Sequence, residues 1–307
     1  MSRPVFSVIV PTYGRPGQLT TCLQALAGLR YPREQFEVIV VDDGGALPLD
    51  GVVAAFRDRL DLTLLKQAHA GPAAARNTGA AHATGRIFAF TDDDCQPAPD
   101  WLHALQLHFP LAPDQIVGGR TCNALAANHY STASQIIIDL VYGYYNAEPS
   151  RARFFASNNL ALPADVFRAV GGFDATFITS EDRELCDRWL HHGYHMTYAP
   201  EAVVYHAHAL TLRTFWRQHF NYGRGAFRFH RLRARRGSGR LRKELRFYAR
   251  LPSLLGRSLA HERGVRLLLL PVLLLVWQGA NITGFFWESF NQARSWKAES
   301  LRRERRN

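Results

Sequence analysis

The chain has 307 residues, 47% of them hydrophobic, and a formal net charge of +11. That suffices for one large α/β domain or two smaller ones. Cys22, Cys95, Cys122 and Cys186 show no Cys-x-x-Cys spacing, which suggests neither a zinc site nor a disulfide framework and fits a reducing, cytosolic setting. The opening Met1–Pro11 is too short, and too soon interrupted by polar residues, for a signal peptide. The charge is uneven. Residues 211–307 hold 22 Lys+Arg and 5 Asp+Glu, whereas residues 1–210 hold 15 and 21. An acidic body with a basic tail implies two jobs, the tail meeting nucleic acid, anionic lipid or a phosphorylated acceptor.

The first half alternates strands and helices. Strands are predicted at Phe6–Val10, Phe36–Val41, Leu62–Leu65 and Ile87–Phe90, with helices at Gly17–Leu29, Val52–Leu60, Pro72–Ala83 and Trp101–Phe109. Short apolar strands between helices indicate a mainly parallel sheet covered on both faces. Ligands of such sheets bind beyond the carboxyl ends of the strands. Pro11-Thr12-Tyr13-Gly14-Arg15, Asp42-Asp43-Gly44-Gly45 and Asp92-Asp93-Asp94 all fall there. Farther on, Phe154–Leu162 reads as a strand and Pro163–Val170 as a helix followed by a Gly171-Gly172 turn. Ser180-Glu181-Asp182 leads into a helix through Leu185–Leu190, and Ala202–His208 reads as a strand. Residues 211–263 are arginine-rich and partly helical. Leu267–Trp277 is strictly apolar and reaches 21 residues if extended to Trp287. Basic residues on both sides leave its orientation open. Membrane association over about 265–287 is expected, as an interfacial or re-entrant helix or one span, with a buried or oligomer-forming helix as the alternative.

The three acids at 92–94 carry the most chemistry. Their mutual repulsion and desolvation at a strand end call for a cation or strong donors. Oxygen ligands of this kind suit Mg2+ or Mn2+ held together with substrate phosphates. An acidic turn before the helix at Trp101 is the plain structural alternative.

Taken with Pro11-Thr12-Tyr13, Val41-Asp42-Asp43-Gly44, Arg76-Asn77 and Ser180-Glu181-Asp182, in this order and spacing, the acids make residues 5–210 resemble the family 2 glycosyltransferases. The resemblance implies a GT-A fold: a donor part over about 1–115, an acceptor part over about 116–210, and here a basic helical extension over 211–307. It implies transfer of a sugar from a nucleotide donor, expected here to be a UDP-sugar, with inversion at the anomeric carbon. By the same resemblance Pro11, Thr12, Tyr13 and Arg15 cradle the nucleotide. Asp42 meets the base, Arg76 lies near base and phosphate, and the Asp-x-Asp motif falls on Asp92 and Asp94. Asp93 leaves that register open by one. Asp94 and Asp92 are the implied metal ligands, for Mg2+ or Mn2+, with a histidine supplied by His206 or His208. Asp182 is the implied catalytic base, with Glu181 beside it. Asn158, Asn159 and Trp189 are expected to shape the acceptor side. Trp216-Arg217-Gln218-His219-Phe220 lacks the Gln-x-x-Arg-Trp motif of processive synthases, which implies single-residue transfer.

The partners expected are a nucleotide-sugar donor, a glycan or lipid-linked acceptor of polysaccharide or cell-envelope synthesis, and an anionic membrane surface on the cytoplasmic side. No nucleic acid is expected, and the oligomeric state is left open. The alternatives are a nucleotidyltransferase acting on sugar phosphates, and a nucleic-acid-binding protein working through its basic tail.

Overall fold

In the computed structural model of the chain the described residues are 4–238 and 265–304. The first four apolar runs all form strands. β1 (Phe6–Thr12), β2 (Phe36–Asp42), β3 (Leu62–Lys66) and β4 (Ile87–Phe90) pair in the order β3-β2-β1-β4, every pair parallel. All seven residues of β1 are buried, as expected of a strand covered on both faces. Phe6, Val8 and Val10 share one side with Val38 and Val40 and pack on Leu19, Leu23 and Leu26 of α1 (Pro16–Ala27). Trp101, Leu102 and Leu105 of α4 (Trp101–Gln106) join the same core. α2 (Asp50–Ala54) and α3 (Pro72–His82) complete this half.

Register fixes where the strands stop. Thr12 lies opposite Asp42, and Asp42 opposite Lys66. Three strands therefore end level, and their outgoing loops emerge side by side. β4 ends at Phe90, which pairs with Ile9, so residues 91–94 continue alongside the last turn of β1.

Beyond β4 the sheet changes character. β7 (Leu160–Pro163) runs antiparallel to β4, and β6 (Ile116–Asn123) antiparallel to β7. β8 (Met196–His206) is parallel to β6, and the three-residue β5 (Cys95–Pro97) lies antiparallel to β8 at the edge. The complete order is β3-β2-β1-β4-β7-β6-β8-β5. The sheet is thus parallel in its N-terminal half and mixed beyond. Two helices flank this half, α6 (Ala164–Ala169) and α7 (Glu181–His191).

Several expectations change. The helix expected at Val52–Leu60 is the short α2. Only Leu160–Pro163 of the expected Phe154–Leu162 strand is extended. β8 begins earlier and stops at His206. β5, β6 and α5 (His129–Tyr145) were not foreseen.

The chain divides into two compact units, Met1–Ala127 with Val141–His208, and Asn128–Leu140 with Ala209–Asn307. The second has its own core. Ala133, Ile136, Ile137 and Leu140 of α5 meet Phe215 of α8 (Leu212–Arg236) and Leu270, Leu273, Leu274 and Trp277 of α9 (Val265–Glu304). Thr211 and Thr214 cap α8 reciprocally, the Thr211 N–H donating to Thr214 Oγ1 at 2.8 Å and the Thr214 N–H to Thr211 Oγ1 at 3.3 Å. Leu268–Arg294 within α9 is long and apolar enough to cross a membrane by length and composition. The rest of the arginine-rich stretch, 239–263, and the last basic residues, 305–306, lie outside the described residues.

Asn159 ties the mixed half of the sheet together. It is wholly buried; its Nδ2 donates to the carbonyls of Arg120 (3.0 Å) and Ala202 (2.9 Å), and its Oδ1 accepts from Trp101 Nε1 at 2.8 Å. Asn159→Leu leaves three buried polar groups unpaired, at about 1–3 kcal/mol each. Urea unfolding of the variant is expected to show a loss of several kcal/mol.

Candidate active site

The side expected to hold the donor is built from the three level strand ends. Asp43 organises the loop after β3: its Oδ1 accepts from Gln67 Nε2 (2.7 Å) and the Ala70 N–H (2.9 Å), and its Oδ2 from the Gly71 N–H (2.9 Å). Asp42 Oδ1 accepts from the Gly45 N–H at 3.0 Å, closing an Asx-type turn. A Cβ on Gly45 would lie 2.4 Å from the Gly14 nitrogen, so this turn and the Pro11–Arg15 loop touch backbone to backbone. Tyr13 is exposed above them, its ring 4.5 Å from that of His69. The two rings are tilted 35° to each other and lie at the rim that carries Asp42. Sequence reasoning missed His69 because it sits outside the motif.

The three acids separate by direction. Asp93 is fully buried and turned inward; Thr12 Oγ1 donates to its Oδ2 at 2.6 Å, and Arg15 Nε donates to the same oxygen at 3.0 Å. Burial pushes its carboxyl up to about 7, against the pull of Arg15 and Thr12. Asp93 and Thr12 therefore brace the site from below. Asp94 Oδ1 lies 3.2 Å from His206 Nε2, and its Oδ2 accepts from Arg15 Nη1 at 3.2 Å. Burial works against ionisation of Asp94, but the hydrogen bond and charge of His206, with Arg15, hold its carboxyl low, at about 2.

Asp94, Cys95 and His206 bring one ligand atom each within 4.8 Å of one another. Burial holds the Cys95 thiol well above its ordinary range, and a soft sulfur is ill matched to a hard divalent ion. That leaves a carboxylate oxygen and an imidazole nitrogen, a set that fits a hard divalent ion sharing diphosphate oxygens, with the nitrogen favouring Mn2+ over Mg2+. The His208 ring stacks on His206 at 4.8 Å. It stands outside the ligand cluster, so His206 is the better placed of the two.

Arg76 connects this floor to the far side of the site. Only 3% exposed, it donates from Nη2 to Asp92 Oδ1 (2.6 Å) and from Nη1 to Glu181 Oε1 (2.9 Å). Its guanidinium lies 5.6 Å from the Phe173 ring centre. The neighbouring Asn77 donates from Nδ2 to the Phe173 carbonyl (2.8 Å) and accepts the Phe173 N–H (2.9 Å). Two consecutive residues of α3 thus hold the segment that leads to α7. Arg76 was expected against base and phosphate; the structure sets it between two carboxylates, where it positions both.

Ser180 precedes α7 with φ 72°, the one left-handed non-glycine residue among those described, and its side chain makes no cap. Strain of this kind collects at functional sites. Asp182 follows on the first turn, its Oδ1 accepting the Arg183 N–H at 2.7 Å. Burial first, then the adjacent Glu181 charge, push its carboxyl up to about 7; Arg76 and the Arg183 and Ser157 amides pull the other way.

Asn158, expected on the acceptor side, accepts from Thr121 Oγ1 at 3.3 Å. Asn159 and Trp189 are corrected: both are wholly buried, and the Trp189 indole N–H donates to the His195 carbonyl at 3.2 Å. Neither has surface to offer a ligand; both support the fold. Arg153 and Arg183, missed in the sequence, flank the Tyr145 ring at 5.3 and 6.0 Å beside Asp182.

The mixed α/β sheet with acids at its strand ends fits the GT-A glycosyltransferase fold that the sequence led us to expect. Residues 7–173 match the glycosyl transferase family 2, and the chain belongs to that family. The pre-mycofactocin glycosyltransferase of Mycobacterium tuberculosis is 33% identical over 227 residues, 72% of this chain and 46% of the relative. The glycosyltransferase AglE of Haloferax volcanii is 28% identical over 72% of this chain and 73% of its own length. The chain thus spans under half of the mycobacterial relative. Among solved structures, the mannosyltransferase PcManGT of Pyrobaculum calidifontis, in complex with GDP-Man and Mn2+, superimposes with a TM-score of 0.68 at 20% identity, over 95% of this chain and 88% of that one. Staphylococcus aureus TarS residues 1–349 with UDP-GlcNAc gives 0.54 at 18% identity, over 94% and 92%. These likenesses show the fold. Sugar transfer, in place of nucleotidyl transfer, is the chemistry of the family.

Arg76→Met leaves buried Glu181 and half-buried Asp92 without their shared cation. Removing one partner of a buried ion pair costs about 3–5 kcal/mol, so denaturant unfolding of the variant is expected to show a stability loss of that order and thermal unfolding a lower midpoint.

Proposed function

We propose that the chain is an inverting, metal-dependent glycosyltransferase that moves a sugar from a UDP-sugar to a hydroxyl of a glycan or lipid-linked acceptor. Its setting is polysaccharide or cell-envelope synthesis at the cytoplasmic face of a membrane, reached through the second unit. The observation that carries this reading is the Arg76 bridge. One guanidinium contacts both the Asp-x-Asp motif and the residue next to the base, so donor and acceptor chemistry share one site.

The uracil reading rests on Asp42. Its Oδ1 is occupied by the Gly45 amide, and no described residue donates to its Oδ2, which suits an imide N–H. The Tyr13–His69 ring pair suits stacking of the base ring. Asp94 and His206 would hold the ion, with Asp92 on the ribose or on metal-bound water. When bound, the ion neutralises charge that builds on the diphosphate as the glycosidic bond breaks. Arg15 adds fixed positive charge on the same side.

Asp182 draws the proton from the acceptor hydroxyl as that oxygen attacks the anomeric carbon opposite the diphosphate, inverting the centre in one step. A carboxyl raised toward neutrality accepts a proton more readily than an ordinary one. Glu181 keeps Arg76 occupied and holds up the affinity of Asp182 for the proton.

Asp182→Asn is expected to lower turnover about 10²–10⁴-fold while nucleotide binding by calorimetry stays near that of the parent. Because the base must be deprotonated, kcat of the parent should fall about tenfold per pH unit below about 7 and level off above it. A thermal-shift screen of UDP-, GDP- and dTDP-sugars with and without Mn2+ identifies the donor, since the right ligand raises the melting point. In that assay His206→Ala should weaken the Mn2+-dependent shift more than His208→Ala.

A further inference from the structure

Helix α9 has two opposite apolar faces. One packs inside the second unit through Leu270, Leu273, Leu274, Trp277 and Ala280. The other is exposed. Between residues 268 and 290 the exposed positions are Leu268, Val272, Leu275, Ile282, Thr283, Phe286, Trp287 and Phe290. A water-facing helix side is normally charged or polar; this one offers a single hydroxyl and no charge.

A solitary span does not account for α9. Glu288 lies within its apolar stretch, is 2% exposed, and is paired with Arg224 Nε (2.9 Å) and Arg228 Nε (2.6 Å) of α8. The two helices meet backbone to backbone: a Cβ on Gly284 would lie 1.9 Å from the Phe220 carbonyl oxygen, and one on Gly223 2.1 Å from that of Asn281. Crossing a bilayer would carry α8 along, with Arg217, Arg224 and Arg228 at hydrocarbon depth, where arginine is costly. A second copy of the chain is disfavoured by charge, since residues 211–307 hold 22 Lys+Arg against 5 Asp+Glu, and two such surfaces repel.

We infer that the α8–α9 pair docks in the plane of an anionic bilayer surface, with the stripe from Leu268 to Phe290 sunk at the acyl boundary and the arginines of α8 at the headgroups. The stripe is about 33 Å long at 1.5 Å per residue, and Trp287 suits the interface. An in-plane helix of this type needs both apolar area and charge attraction. The inference rests on the membrane-face reading above and decides its geometry.

The test uses the full chain with phosphatidylcholine vesicles, with and without phosphatidylglycerol. The chain should float with the anionic vesicles, and Leu275→Gln/Phe286→Gln should reduce the bound fraction at least tenfold without altering the melting point or its shift with UDP and Mn2+. Cysteines introduced by Gly264→Cys and Arg294→Cys should both react with an impermeant maleimide added outside sealed vesicles. If one reacts only after detergent, α9 spans and the in-plane geometry is overturned, with the membrane reading intact. Absence of flotation by the parent chain overturns both. A dimer that the double variant dissociates, in place of flotation, assigns the stripe to a second copy and also overturns the proposal.

Discussion

One buried guanidinium sets the geometry of the site. Arg76 holds Asp92 at the end of the β4 strand run and Glu181 at the start of α7, and these acids lie 16 and 105 residues away in sequence. A cation this deeply buried is stable only with its charge and hydrogen bonds answered, and here two carboxylates answer it. Conversely, carboxylates drawn from water beside Asp93, Asp94 and Asp182 stay tolerable only with fixed positive charge near by. The floor and the wall of the site therefore depend on each other: loosening α7 exposes the acids to one another, and loosening the acids removes the anchor of α7.

The same balance of charge grades the acids by task. Asp94, held low by His206 and Arg15, is a ready anion for a metal or a diphosphate. Asp182, raised by burial and Glu181, is prepared to take a proton. Under the proposed function, like groups pushed apart in this way would serve as ligand and base within one site. The scaffold beneath is the level ending of β1, β2 and β3, which delivers Tyr13, Asp42 and His69 to a common rim.

Much of this was legible from the residues. β1 to β4 were readable because each is a short, mostly apolar run between helical stretches, and their polar ends marked the site. β5 is too short for periodicity, β6 is interrupted by Gly118-Gly119, and α5 opens on polar residues, so none announced itself. Residue type did not give direction. Asn159 and Trp189 are types that bind sugars, yet both turn inward to satisfy the core. Nor could sequence show that Arg76 meets two acids so distant along the chain, or that Asp93 faces down while Asp94 faces the ligand side. Alternation did place His206 and His208 together, and contact with Asp94 then separated them.

The account stands most directly on where a divalent ion sits when nucleotide is bound. Crystals of the full chain grown with UDP and Mn2+, measured at the manganese absorption edge, should show the anomalous peak bonded to Asp94 and His206, with the Asp182 carboxylate facing the same cavity as the diphosphate. A manganese peak away from Asp94, or an Asp182 carboxylate turned from the diphosphate, would contradict it.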